Sequence, residues 1–218
     1  GTVSRVDFYR GNTLIGSDTS APYTWSDTGV AAGSYSYTAI AYDNTGVSTA
    51  SAAATVSVTS SGTTSVNVAS QANGGVASAS SSYGAGYSPV SANNGDRKGL
   101  NWANGGGWLD GTSGSFPDWL QITFNGNQTI GEIDVFTVQD NFRAPVDPTL
   151  SMTFTQYGIT SFQVQYWTGS AWADIPGGSV TGNNLVWRKF TFAPITTDRI
   201  RVLINAGLYY YSRITEVE

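Results

Sequence analysis

The sequence predicts an all-β chain, arranged as two β-sandwiches in series. Three observations carry this. Aromatic residues make up 13% of the 218 positions and charged residues only 11%, which suits pleated, half-buried surfaces and argues against disorder. Apolar and polar residues alternate with period two, with Gly/Asn/Asp turns roughly every 8–12 residues. No stretch shows the 3.6-residue period of an amphipathic helix.

The first strand is predicted at residues 3–10, where Val6 and Phe8 alternate with Arg5, Asp7 and Tyr9. Gly11-Asn12 turns the chain into a second strand at 13–16. A third is expected at 22–26 and a fourth at 34–42, closed by the turn Asp43-Asn44-Thr45-Gly46. A fifth, at 52–59, sets Ala54, Val56 and Val58 on one face. The run TSSGTTS at 59–65 is small, polar and uncharged. It has nothing to bury and reads as a linker. The expected division is therefore 1–59, a linker at 60–65, and 66–218. In the second part the clearest strands are 119–124, 132–138, 161–167, 186–192, 199–204 and 212–217, with long loops at 84–112, 139–158 and 169–184. A part of this size and strand count suits a jelly-roll sandwich.

Composition excludes several function classes. The chain has no Cys and no His, so disulfides, thiolate chemistry and a Ser-His-Asp triad are impossible, and the commonest zinc ligands are missing. The net charge is −5, with Lys98 and Lys189 the only lysines. Nucleic acid is not an expected partner, since that requires a basic footprint. No segment approaches the ~20 apolar residues of a membrane helix. The low-Lys, Gly/Ser/Thr/Asn-rich surface fits an extracellular bacterial protein, secreted or at the cell surface. With no signal peptide, the chain is expected to be a region of a longer multimodular protein.

The segments VSRVDFYRGNTLIGSDTSAPYTW and AAGSYSYTAIAYDNTG resemble the bacterial Ig-like repeats that separate modules of secreted glycan-active enzymes and adhesins. The resemblance implies a partial Ig-like β-sandwich whose opening strands would lie upstream of Gly1. In the second part six blocks follow in order: SANNGDRKGLNW, FPDWLQITFNGNQTIGEIDVFTVQD, FQVQYWTGSAWADI, VWRKFTF, IRVLIN and YSRITEVE. This order resembles the discoidin or coagulation factor 5/8 C-type family, which overlaps the galactose-binding-like carbohydrate modules. The resemblance implies an eight-stranded jelly roll, a structural calcium, and ligand-binding loops at one end.

Calcium takes six to eight oxygens, many from backbone carbonyls. The family's spacing falls on Ser91, Asn94, Asp96 and Gly99, with Thr215 and Glu216 completing the set. Ser91, Asp96, Gly99 and Thr215 would give mainly carbonyls, Asn94 its side-chain oxygen and Glu216 its carboxylate. Asn94 stands where the family more often has Asp, and Gly99 where it has a hydroxyl residue; both departures weaken the expected site.

Glycan recognition needs aromatic platforms with a few convergent polar groups. Trp108 and Asp110, beside the glycines at 105–107, are one candidate group, with Trp108 either an exposed platform or a lid on the core. Gln139, Asp140, Asn141 and Arg143, in a polar loop leaving a strand, are a second. Tyr209 and Tyr210 with Arg213 are a third, because consecutive side chains alternate in a strand and three tyrosines in a row cannot all face inward. Tyr83 and Tyr87 are a weaker fourth. Trp102, Trp119, Trp167, Trp172 and Trp187 are expected in the core. Asp110, Asp118, Asp140, Asp147 and Glu216 are the acids at hand, and none has the context of an acid/base pair ~5–10 Å apart across a cleft. The expected function is a non-catalytic region that binds polysaccharide or oligosaccharide. The alternative is an adhesion or structural module that binds protein or a cell surface.

Overall fold

A computed structural model describes residues 1–31, 33–58 and 65–218. Residues 60–64 of the expected linker lie outside the described residues. The chain divides into two compact units, Gly1–Ser65 and Val66–Glu218. Both are all-β and antiparallel.

In the first unit, β1 (Val3–Arg10), β2 (Thr13–Asp18), β3 (Gly33–Asp43), β4 (Ser48–Ala50) and β5 (Ala54–Val58) form one sheet. Its order is β2-β1-β3-β4, and β5 pairs with the first half of β3. The strand expected at 22–26 is absent, and the short β4 makes the count five. The reason is a packing choice. The Trp25 indole lies so close to Gly16 that a Cβ there would sit 2.1 Å from a ring carbon. Thr24 N–H donates to Asp18 at 2.9 Å and the Tyr23 hydroxyl to the Val3 carbonyl at 2.8 Å. The segment is tied to its neighbours through side chains and single bonds rather than a strand ladder.

The second unit holds β6 (Val76–Ala79), β7 (Trp108–Leu109), β8 (Asp118–Phe136), β9 (Ile159–Trp167), β10 (Trp172–Val180), β11 (Trp187–Gly207), β12 (Arg213–Ile214) and β13 (Glu216–Val217). The main sheet runs β10-β9-β11-β8-β13, with β6 also on β8; β12 pairs β7 separately. Two long strands each merge two predicted ones. The first part of β8 pairs with the end of β11 (Leu120 opposite Val202), and its last part with the start of β11 (Ile133 opposite Phe190), with register shifts between. Inward residues from both halves, among them Leu120, Ile122, Ile133, Val135, Val202 and Ile204, join one buried cluster with Phe162 and Val164 of β9. The two halves therefore face each other across a common core, as a sandwich requires.

The expected loop at 169–184 contains β10. Its Pro176-Gly177-Gly178 run disguised it in the sequence. The register shifts between Asp174 and Ser179, so these residues form a bulge on an edge strand, where a missing N–H and a positive φ of 73° at Gly177 are tolerated.

Candidate functional site

The short strand β7 and its partner β12 position the site. Leu109 sits opposite Arg213 and Trp108 opposite Ile214. Asp110, just past β7, is buried. Its carboxylate accepts the Ser212 N–H at 2.6 Å and the Thr112 N–H at 2.8 Å. These bonds fix the chain immediately before Arg213. Asp118, also buried, accepts the Ser212 hydroxyl at 2.8 Å, and burial pushes its carboxyl up.

Beside Arg213 opens a cavity of ≈ 270 Å³. Two runs of aromatic rings wall it. In one, Trp102 meets Tyr87 at 5.5 Å, Tyr87 meets Tyr83 at 5.8 Å and Tyr83 meets Tyr211 at 5.8 Å, all edge to face. In the other, Phe142 meets Tyr157 at 5.4 Å, and Tyr209 packs on Tyr157 at 5.3 Å from outside the lining. Arg213 joins the runs: its guanidinium carbon stands 5.3 Å from the Tyr211 centroid and 5.6 Å from that of Tyr157. Burial leaves Arg213 8% exposed and lowers its pKa. Tyr209 and Tyr210, outside the cavity lining, are 60% and 71% exposed. They owe this to a tight turn after β11, not to strand alternation. Both have positive φ, 51° and 62°, a conformation uncommon for non-glycine residues.

The other candidates fall into place around this cavity. Trp108 is 0% exposed, with its indole N–H donating to the Ser81 carbonyl at 2.8 Å. It is a core residue and not an exposed platform. The adjacent glycines serve backbone approach instead. A Cβ on Gly106 would lie 2.2 Å from the Leu100 carbonyl, and one on Gly107 2.6 Å from the Trp102 ring. Asp110 is likewise consumed by backbone bonds. Gln139 is buried and clasps Val146, donating to its carbonyl at 2.8 Å and accepting its N–H at 3.0 Å. Asp140 accepts the Thr155 and Gln156 N–H groups at 2.8 and 2.9 Å. Asn141 donates to the Ala144 carbonyl at 2.9 Å. These three hold the loops that carry Phe142 and Tyr157. Arg143 is exposed, 5.8 Å from the Phe142 ring. Trp102, Trp119, Trp167, Trp172 and Trp187 are all only half-buried, and Trp102 lines the cavity. Phe142 and Tyr211 belong to the candidate runs 139–143 and 209–211 without being singled out there, and Tyr157 lies outside every candidate run. The signal that finds all three is an aromatic in a loop that also carries polar turn residues.

The residues of the expected cation site also converge. Glu216 is 0% exposed, and its carboxylate accepts the N–H groups of Asn94 at 3.1 Å and Gly95 at 3.0 Å. Burial pushes its pKa to about 8; the Gly95 and Asn94 bonds oppose the shift, while the negative charges of Glu218 and Asp96 add to it. Arg97, the adjacent cation, is paired bidentately with Glu218 instead. Ser91 is buried in the short 3-10 helix Pro89–Ala92. The Asn94 side-chain oxygen accepts the Asp96 N–H at 2.8 Å, and Asp96 accepts the Lys98 and Leu100 N–H groups at 3.1 and 2.5 Å. Gly99 has φ +75°, and a Cβ there would meet Thr215 at 2.7 Å. The Gly99 and Thr215 carbonyls receive no backbone hydrogen bond among the described residues. A buried carboxylate with no cationic partner beside free carbonyls is a donor set of hard oxygens, which fits a cation such as calcium.

The fold and cavity thus define an all-β chain whose second unit carries an aromatic-walled, cation-floored pocket. Residues 1–39 match the family model described as bacterial Ig domain. No curated protein sequence matches the chain. Among solved structures, the chain is similar to chitosan-binding module 1 of a chitosanase/glucanase from Paenibacillus sp. IK-5, at 19% identity and TM-score 0.49, covering 66% of this chain and 92% of that one. It is similar to the family 32 carbohydrate-binding module of C. perfringens NanJ in complex with galactose, at 18% identity and TM-score 0.47, covering 66% and 90%. A third, from Clostridium perfringens in complex with GalNAc-β-1,3-galactose, has 14% identity and TM-score 0.48, covering 67% and 94%.

Proposed function

We propose that residues 66–218 form a non-catalytic carbohydrate-binding module that holds a larger secreted bacterial protein on polysaccharide, with residues 1–59 as an Ig-like spacer. The observation that carries this is the aromatic cavity around Arg213. Rings arranged edge to face expose apolar faces for the C–H surface of a sugar, and a fixed guanidinium offers directional donors. The exposed Tyr209 and Tyr210 extend the aromatic surface beyond the cavity. Among the described residues no helix is long and apolar enough to cross a membrane.

The proposal includes a structural calcium held by Glu216, the Asn94 side chain, and carbonyls of Ser91, Asp96, Gly99 and Thr215. Calcium would supply the positive charge that the buried Glu216 carboxylate lacks. The loop it would order runs directly into Trp102, a wall of the cavity, so the two sites are linked by sequence.

Affinity electrophoresis through native polysaccharides, in calcium and in chelator, tests both parts. Retardation by one polymer class supports the module and names its ligand class. Retardation lost in chelator ties calcium to the binding loops. Migration unaffected by every polymer overturns the carbohydrate-binding reading.

A further inference from the structure

The Arg213 guanidinium is committed on one edge and open on the other. Nη1 donates to three carbonyls, of Leu208 at 2.7 Å and of Tyr157 and Tyr211 at 3.3 Å. The two tyrosine rings cover its flanks. Nε and Nη2 have no hydrogen-bond partner, and Arg213 makes no salt bridge among the described residues, where six such bridges are found. No inaccessible side-chain nitrogen is left without a partner among them, so the free edge is accessible, and Arg213 lines the cavity. The nearby acid, Asp110, is already engaged by the Ser212 and Thr112 backbone.

The free edge has a chemical preference. Nε–H and Nη2–H form the side-on fork that matches a planar carboxylate with two parallel hydrogen bonds. A sugar hydroxyl can satisfy one of these donors but leaves the charge unneutralised. Asp110 acts on this cation through space but leaves its Nε and Nη2 donors unpaired, and charged donors in a buried site bind a charged acceptor more strongly than a neutral one. We infer that this cavity selects a carboxylate-bearing sugar residue, its carboxylate seated on the Nε/Nη2 edge of Arg213 and its ring against the aromatic walls. The inference rests on the carbohydrate-binding reading above and specifies its ligand class.

The test pairs each acidic oligosaccharide with its carboxyl-reduced, neutral counterpart. Oligogalacturonate, oligoalginate and oligoglucuronate are titrated calorimetrically into the full chain at about 0.15 M salt, where the net charge of −5 is screened beyond about 8 Å. At least one acidic form should bind at least about ten-fold tighter than its reduced form, the low end of a close charge pair's contribution. Arg213→Gln removes both the charge and the fork and should bring the acidic form close to the reduced one, while Arg213→Lys keeps only the charge and should fall between; near-UV circular dichroism checks the fold of both, and the wild-type comparison stands without them. Equal or stronger binding of the reduced forms overturns the inference and leaves the carbohydrate-binding reading intact. A sulfated galactan that binds more tightly than every uronate overturns the planar-fork assignment. Failure of every acidic form also overturns it, and if neutral polysaccharides fail too, the carbohydrate-binding reading falls with it.

Discussion

The Glu216 carboxylate accepts the Asn94 N–H at 3.1 Å across 122 positions of sequence. One buried side chain in the last strand thereby pins the loop at 91–102 to the end of the chain. Burial makes the charge of that carboxylate costly, and it sets the first prediction.

In chelator, stability should fall as pH rises. The folded pKa of about 8 lies above the ordinary value of 4.5. The folded state therefore holds a proton that the unfolded state releases first. Stability is complete below about 4.5 and is lost progressively up to about 8, on the order of several kcal/mol in all. Calcium should restore that loss above pH 8 by replacing the proton. Glu216→Gln should flatten the pH dependence in chelator and abolish the calcium response. Thermal melts from pH 5 to 9, with and without calcium, check all three statements.

Trp108→Ala should destabilise the second unit by about 3–5 kcal/mol, the cost of emptying a large core site. Because the side chain is 0% exposed, any loss of polysaccharide retention should track the unfolded fraction. Urea denaturation followed by retention at matched folded fraction separates the two effects.

Tyr210→Ala should behave in the opposite way. The side chain is 71% exposed, and stability should change by no more than about 0.5 kcal/mol. Tyr157→Ala should weaken binding further, because it removes both a cavity wall and one of the rings flanking Arg213. Calorimetric titration of both variants with one bound polysaccharide gives the ranking; a Tyr157→Ala variant with unchanged affinity would remove the cavity from the binding surface.

Asp110→Ala should cost about 1.5–3 kcal/mol, since it strips a charged acceptor from the Ser212 and Thr112 N–H groups. It should also loosen affinity for a neutral ligand, because Asp110 positions the chain before Arg213. Calorimetric titration with a neutral oligosaccharide reads that loss apart from the change in charge beside Arg213.

The all-β class and most strands were legible because period-two alternation records which face of a strand is buried, and burial is local in a sheet. The strand at 22–26 and the loop at 169–184 were misread for one reason. Trp25 packs across the Gly16 backbone, and Pro176-Gly177 bulges within an edge strand; neither outcome is encoded in alternation. The loop around Asn94 and Gly99 was legible as oxygen donors and turn glycines, while a cation in it is an implication of the family resemblance. The aromatic site was legible only as a list of loops.

The sequence by itself determined the chemistry at hand: no His or Cys, oxygen ligands, aromatic-rich loops and a β scaffold. These follow from residue type and short-range pattern. Only the tertiary structure decided which aromatics face solvent. It buried Trp108 and opened Trp102 to a cavity, because the register of β7 on β12 and the close backbone approach at Gly106 and Gly107 fix where each indole points. It also left one edge of Arg213 free, since the Leu208 and Tyr211 carbonyls of the preceding turn and the Tyr157 carbonyl, 56 positions away, converge on Nη1 alone. The Tyr157 contact joins positions distant in sequence, and no local pattern carries it.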